Sequence, residues 1–263
     1  MKNGSLVVVG TGFSIAGQVT QEALSHMSHA ERLLYLVTDI ATKEWLESLN
    51  PNTESLYDSY RVGRPREETY AEMSERILRC VRSGERVVAA FYGHPGVFVA
   101  PSHLAIAGAR AEGFDARMLP GISAEDCLFA DVGFDPGDRG CQSFEATDFL
   151  LRRRIFDPTS ALVLWQVGVI GVRDYQKSDL WGPRGLAVLQ RRLLDTYPPE
   201  HPAIVYEAAQ YPICPSLIHS TPLAALTEAP VTVRSTLYVP PLPDRATDAG
   251  VRLELGLEAE SGG

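Results

Sequence analysis

Leu6-Val7-Val8-Val9-Gly10-Thr11-Gly12 is the stretch on which the fold turns. Its apolar residues run without alternation into a glycine. That is how a strand covered on both faces reads, and such strands belong to parallel sheets flanked by helices. A helical stretch around Gln18–His29 follows, then a second apolar run at Leu33–Val37. Pro65 opens an amphipathic helix, with Tyr70, Met73, Ile77 and Val81 at spacings of three and four and Gly84 just past its end. Val87–Tyr92 reads as another strand, Gly93-His94-Pro95-Gly96 as a tight turn, and Pro101–Ala111 as a helix stopped by Gly113. Repeated β-α units of this kind imply a parallel sheet with both faces covered.

The texture changes after Pro120-Gly121. A short helix near Ala124–Ala130 leads to a Gly/Asp/Pro turn at Gly133–Gly140, and separate strand-like runs follow at Ala161–Gln166, Ala203–Glu207 and Val231–Val239. Helical signal lies between them at Gly185–Thr196. The expected class is therefore α/β with two lobes: a parallel-sheet lobe over 1–120 and a mixed α+β lobe over 121–243. Residues 244–263 hold five acids against two arginines and are expected to stay outside the core.

With 45% apolar and 22% charged residues, the 263-residue chain has the composition of a soluble globular protein. It has no apolar run long enough for a transmembrane helix, and its N-terminus is too short in apolar residues for a signal peptide, so a cytoplasmic location without membrane contact is expected. A net charge of −9 is the wrong sign for non-specific nucleic-acid binding. Cys80, Cys127, Cys141 and Cys214 are far apart and read as reduced, buried thiols. The six histidines show no metal-ligand spacing, so no metal is expected.

Three groups of residues could carry chemistry. Gly10-Thr11-Gly12 could cradle a nucleotide, and Asp39 stands where a dinucleotide enzyme holds its ribose, but the next glycine is Gly17 and the spacing is not GxGxxG. Read alone, the stretch is equally a plain strand-to-helix turn. Tyr92-Gly93-His94-Pro95-Gly96-Val97-Phe98 falls at the carboxyl end of a strand, where open α/β sheets bind ligands, and its turn would bare backbone amides. The third group is Tyr57, Tyr60, Arg66 and Tyr70. Arg66 and Tyr70, four apart, share a helix face onto which the two loop tyrosines can fold. Tyr70 could equally be core, and Arg66 a solvated arginine beside Arg61 and Arg64. Arg152-Arg153-Arg154 and Arg191-Arg192 read as solvated faces.

Taken together, Tyr92–Phe98, Met118-Leu119-Pro120-Gly121-Ile122-Ser123-Ala124-Glu125-Asp126, Phe144-Glu145-Ala146, Trp165-Gln166-Val167-Gly168, Tyr206-Glu207-Ala208-Ala209 and Ser235-Thr236-Leu237-Tyr238-Val239-Pro240-Pro241 resemble the tetrapyrrole methylase superfamily. Within it the chain is most similar to the borosin-type peptide backbone α-N-methyltransferases. The superfamily tends to carry a proline in its first glycine loop and an aspartate in its second. Here the loops read Gly10-Thr11-Gly12-Phe13 and Gly93-His94-Pro95, which fits the peptide-modifying branch. Fungal members carry a substrate peptide at the C-terminus, and residues 251–263 have no Val/Ile-rich core, so the split type, acting on a separate precursor peptide, is expected.

The resemblance implies S-adenosylmethionine as methyl donor, with S-adenosylhomocysteine as product, and an intertwined homodimer. It places the cofactor on Tyr92, His94, Val97, Ser123, Ala124, Gln166, Tyr206, Ser235 and Thr236. It makes Tyr70 or Tyr60 the base, has Arg66 polarise the amide, and gives Tyr57 a part in holding the peptide. A methylase of a tetrapyrrole or other small molecule, an NAD-dependent oxidoreductase using Gly10, Gly12 and Asp39, and a non-catalytic peptide-binding protein are the alternatives.

Overall fold

The computed structural model describes residues 4–177 and 182–257. The last six residues of the acidic tail, 258–263, lie outside the described residues. Strands β1 (Ser5–Gly10), β2 (Arg32–Leu36), β3 (Thr53–Ser55), β4 (Arg86–Phe91) and β5 (Asp115–Met118) form one five-stranded sheet in the order β3-β2-β4-β1-β5. Every pairing in it is parallel. The unbroken apolar runs are explained by two cores. Val9 of β1 packs with Val88 and Ala90 of β4 on one face, covered by Ala23 and Met27 of α1 (Gln21–His29) and Leu46 of α2 (Ile40–Leu49). On the other face Leu6 and Val8 meet Val87, Ala89 and Phe91, covered by α3 (Arg66–Arg82) and α4 (Ala100–Ala111). Met73, Ile77 and Val81 form the buried stripe of α3 expected from their spacing. Each such side chain contributes roughly 1.5–3 kcal/mol by leaving water.

The chain passes leftward from β1 to β2 and rightward from β4 to β5, so β1 and β4, which are neighbours, flank the point where the winding reverses. Ligands of open α/β sheets bind in the crevice beyond the strand ends at such a point. Both glycine loops leave the sheet there.

Downstream come α5 (Ala124–Val132), the short α6 (Pro136–Arg139), β6 (Cys141–Glu145), α7 (Ala146–Leu151), β7 (Ala161–Trp165), α8 (Pro183–Leu194), β8 (Pro202–Glu207), β9 (Leu217–Pro222) and β10 (Thr236–Val239). The five strands form a second sheet, in the order β6-β7-β10-β8-β9. Only β6 and β7 pair in parallel; the other pairs are antiparallel. The strand β7 is wholly buried because Leu162 and Leu164 face Leu186, Leu189 and Leu193 of α8, while Ala161, Val163 and Trp165 face Cys127 and Leu128 of α5. The tail helix α9 (Ala249–Glu254) buries no residue.

Several expectations are corrected. The first helix starts at Gln21, not Gln18, because Thr20 caps it while the Gln18 amide oxygen turns back to accept from the Phe13 and Ser14 amides, 2.7 and 3.1 Å away. The strand expected over Val231–Val239 begins at Thr236, since residues 232–235 form a turn closed by the Ser235 amide on the Thr232 carbonyl. Cys214 is exposed rather than buried, in the connection before β9. Arg192 is not a plain solvated cation, for its guanidinium lies 5.9 and 5.8 Å from the ring centres of Phe149 and Phe156. Among the described residues no helix is long and apolar enough to cross a membrane.

Candidate functional site

A cavity of ≈ 210 Å³ lies where the loops of the two sheets meet. The first lobe lines it with Thr11, Gly12, Phe13, Thr38, Asp39, Thr42, Tyr92, Gly93, His94, Val97, Phe98 and Val99. The second contributes Ser123, Ala124, Trp165, Gln166, Tyr206, Glu207, Ala208, Gln210, Val233, Arg234 and Thr236. Its floor is backbone bonded to backbone. The Gly93 amide donates to the Gly12 carbonyl at 2.8 Å, the Gly12 amide to the Gly93 carbonyl at 3.3 Å, and the Thr11 amide to Phe91 at 2.8 Å. Gly12 and Gly93 have φ of 66° and 70°, a region where a side chain would be strained. At Gly10 a Cβ would stand 2.3 Å from the Gly93 carbonyl oxygen.

The second loop bares fewer amides than its glycines and proline suggest. The Gly96 amide donates to His94 Nδ1 at 2.9 Å, and the Val97 amide to the His94 carbonyl at 3.2 Å. Side chains therefore make the wall. Tyr92 meets Phe13 edge-on at 6.3 Å, and Phe98 tilts against Trp165 at 5.7 Å. Phe98 and Gln166 hold φ of 55° and 60°, left-handed values uncommon outside glycine, and both line the cavity. Such strain persists where surrounding contacts enforce it, most often at binding sites.

Of the nine residues expected around a cofactor, Tyr92, His94, Val97, Ser123, Ala124, Gln166, Tyr206 and Thr236 line the cavity. Ser235 does not. It is fully buried, and its hydroxyl donates to Glu207 Oε1 at 2.6 Å and accepts from the Thr232 amide at 2.8 Å. Glu207, which the sequence reading left out of the site, also accepts from Thr232 Oγ1 at 2.6 Å and pairs with Arg234 at 3.2 Å. The Ser123 hydroxyl is used in a reciprocal cap of α5 with Asp126. The Tyr206 hydroxyl points away to Asp131 Oδ2 at 2.8 Å, and burial, followed by that carboxylate, pushes this phenol far up. Ser123 and Tyr206 thus present backbone and ring to the cavity rather than free hydroxyls.

The tyrosine–arginine group stands beside this wall. Tyr57 and Tyr60, flanking a single turn of 3₁₀ helix, meet edge-on at 5.7 Å. Tyr60 lies near Tyr70, Tyr92 and Arg66, each of which acts on its phenol. Tyr92 belongs to the cavity wall as well, so it joins the two groups. Burial is the main cause that pushes the Tyr60 phenol far up; Tyr70 and Tyr92 add to it, and Arg66 opposes it. Tyr70 packs against the first-lobe core, as its place on the stripe suggests. Arg64 pairs with Glu72 and Glu68, and Arg61 with Glu72. Among the described residues Arg66 has no carboxylate partner; its guanidinium donates to the Val172 carbonyl.

The arrangement offers an aromatic-walled cavity, open to solvent on one side, next to a cluster of phenols and a fixed cation. Proton removal and stabilisation of a developing oxyanion are the chemistry such a set can perform. A dinucleotide site would instead need a helix starting at the first glycine loop. Here α1 begins only at Gln21, and Asp39 Oδ1 caps α2 by accepting from the Thr42 amide at 2.7 Å. Among the described residues no group of His, Cys, Asp or Glu could hold a metal.

Residues 5–213 match the family model of the Tetrapyrrole (Corrin/Porphyrin) Methylases. Over 258 residues the chain is 46% identical to a methyltransferase/ribosomally synthesized cyclic peptide gymnopeptides precursor of Gymnopus fusipes, covering 96% of this chain and 61% of that one. It is 45% identical to the omphalotin A precursor of Omphalotus olearius, with 97% and 62% covered. The chain thus spans about three fifths of the length of these relatives. A uroporphyrin-III-C-methyltransferase from Thermus thermophilus has the same fold, with a TM-score of 0.64 at 20% identity over 98% of this chain and 99% of that one. Another structure, of uroporphyrin-III C-methyl transferase from the same organism complexed with S-adenyl homocysteine, matches with a TM-score of 0.63 at 21% identity, covering 90% of this chain and 97% of that one. With the two sheets, the crevice between them and a family match over most of its length, this chain belongs to the tetrapyrrole methylase family.

Proposed function

We propose that the protein transfers methyl groups from S-adenosylmethionine to backbone amide nitrogens of a peptide supplied as a separate chain. The observation that carries this is the grouping of Tyr60 with Tyr70, Tyr92 and Arg66, close enough to act on its phenol, at the edge of the cavity that Tyr92 lines. An amide nitrogen is a poor nucleophile because its lone pair is delocalised into the carbonyl, as the ~18–20 kcal/mol rotational barrier records. Methylating it requires taking the N–H proton and holding charge on the carbonyl oxygen. A corrin or porphyrin carbon makes no such demand for a base beside an always-charged donor. The peptide-precursor names of the relatives support a peptide substrate, which in those proteins shares one chain with the methyltransferase.

The cavity suits the cofactor. Phe13, Tyr92, Phe98 and Trp165 give flat apolar walls for a nucleobase, and Gln166 and Gln210 give polar groups for a sugar and an amino acid. When bound, S-adenosylmethionine supplies an electrophilic methyl group and leaves as S-adenosylhomocysteine. The chain's own work is on the peptide. Arg66 donates to the substrate carbonyl, Tyr57 holds the peptide, and Tyr60 or Tyr70, as a phenolate, takes the amide proton. Of the groups acting on Tyr60, Arg66 is the one that favours its phenolate, the form that takes a proton. Such base help is worth ~10²–10⁴-fold, and positioning of the reacting atoms ~7–11 kcal/mol.

The homodimer belongs to the same proposal. Leu151 and Ile155 are 80% and 95% exposed, apolar surface of the kind an interface covers. Mass spectrometry of the purified protein tests the reading. Released S-adenosylmethionine or S-adenosylhomocysteine, with an unmodified chain that methylates an added peptide, is the expected result. Methyl increments on the chain itself would mean a substrate in the same polypeptide. A methylated corrinoid, with no peptide modified, would overturn the peptide assignment.

A further inference from the structure

Residues 171–177 carry no motif, yet they fasten the tyrosine–arginine group from outside. The Tyr175 amide donates to the Arg64 carbonyl at 3.0 Å, and the Gly63 amide donates to the Tyr175 carbonyl at 2.9 Å. The Arg66 amide donates to the Arg173 carbonyl at 3.2 Å, and the Arg66 guanidinium to the Val172 carbonyl. Pro65 and Asp174 bridge between them as in a short antiparallel ladder. This segment follows Gln166 after one 3₁₀ turn, so one stretch of chain runs from the cofactor cavity to the start of α3.

The side chain of Tyr175 makes the closest ring contact in the group. Its ring stacks on Tyr60 with centroids 4.8 Å apart and planes 29° from parallel. Its hydroxyl is 3.3 Å from the Tyr57 hydroxyl. A stacked ring fixes the plane of its neighbour, and here it covers one face of Tyr60. We infer that Tyr175 is a positioning residue, holding Tyr60 through its ring and Tyr57 through its hydroxyl so that the Tyr60 phenol stays aimed at Tyr70 and the cavity. This inference deepens the proposed function and takes its catalytic meaning from it; the contacts stand independently. The titratable and charged groups facing Tyr60 are Tyr57, Arg66, Tyr70, Tyr92 and Tyr175. Of these Arg66 alone favours the phenolate, while desolvation is the largest force against it. Removing the Tyr175 ring opens one side of Tyr60 to water, which lowers that resistance.

The test uses Tyr175→Leu and Tyr175→Phe, because the second keeps the stack and loses only the hydroxyl. Under the proposed function, Tyr175→Leu lowers kcat by ~10²-fold, as misplaced catalytic groups do. Its S-adenosylhomocysteine affinity stays at the wild-type value, and Tyr175→Phe recovers most of the turnover. Wild-type turnover in the leucine variant, or equal loss in both variants, would overturn the inference. A second readout needs no activity: carbon-13 NMR of tyrosine-labelled, peptide-free protein, with the Tyr60 signal identified by its loss in Tyr60→Phe. The Tyr60 ring signal shifts in Tyr175→Leu and keeps its wild-type position in Tyr175→Phe; an unchanged Tyr60 signal in the leucine variant contradicts the inference. If the wild type methylates no peptide, the proposed function falls while this signal still decides the role of Tyr175.

Discussion

Gly12 and Gly93, which close the cavity floor, leave neighbouring strands of one sheet and bond each other's backbone. Tyr57, Tyr60, Arg66 and Tyr70 come from one loop and helix and are held instead by residues 172–175, across the molecule in sequence. The first region inherits its geometry from the buried central strands of the parallel sheet, so it is shaped before any ligand arrives. The second depends on a surface segment and on the rings of three tyrosines. The proposed cofactor site, anchored to the sheet, and the proposed reaction site, anchored to a strap, should fail separately, and substitutions can show whether they do.

The largest separation is expected from Arg66→Ala. Turnover should fall by about 10²–10³-fold, the usual consequence of losing one oxyanion donor. Cofactor affinity, measured by titration calorimetry with S-adenosylhomocysteine, should hold; a parallel loss of affinity would join the two regions into one. Gly10→Ala should do the reverse. Its Cβ would stand 2.3 Å from the Gly93 carbonyl oxygen, so the loops must part. Weaker cofactor binding and ~1–3 kcal/mol of lost stability in denaturant melts are expected.

pH sharpens the contrast more gently. Burial, then its 2.7 Å hydrogen bond to Glu47, pushes the Tyr35 phenol in the sheet up to about 12. The folded protein holds this proton more tightly than the unfolded chain, whose tyrosines titrate near ~10. The stabilisation is complete below pH ~10 and is lost as pH rises toward about 12. Melting temperatures measured across that window should fall, and Tyr35→Phe should flatten the fall. The smallest effect belongs to Arg152→Ala. Its 2.6 Å pair with Asp148 is at the surface, with the arginine side chain 69% exposed. A stability change within ~0.5 kcal/mol is expected.

The same contrast governs what could be read in the sequence. The runs Leu6–Gly10 and Val87–Tyr92 announce buried parallel strands because burial on both faces leaves no room for polar residues. The edge strand β9 was illegible: Ile218, His219 and Ser220 are all exposed, so no alternation marks it. The three-residue β3 is too short to carry a pattern. Within the site, the helical spacing of Arg66 and Tyr70 put them on one face, while Tyr175 and the carbonyl of Val172 arrive by tertiary contact alone. Glu207 was within reach, standing next to Tyr206 at the carboxyl end of a strand. Ser235 fell nearby but one layer too deep, because a buried carboxylate needs its hydroxyl.

Tandem mass spectrometry of a peptide incubated with S-adenosylmethionine and either the wild-type protein or Arg66→Ala tests the account most directly. Methyl groups on backbone nitrogens with the wild type, and none with a variant that still binds cofactor, are predicted. Methylation confined to side chains or termini, or undiminished transfer by Arg66→Ala, would contradict it.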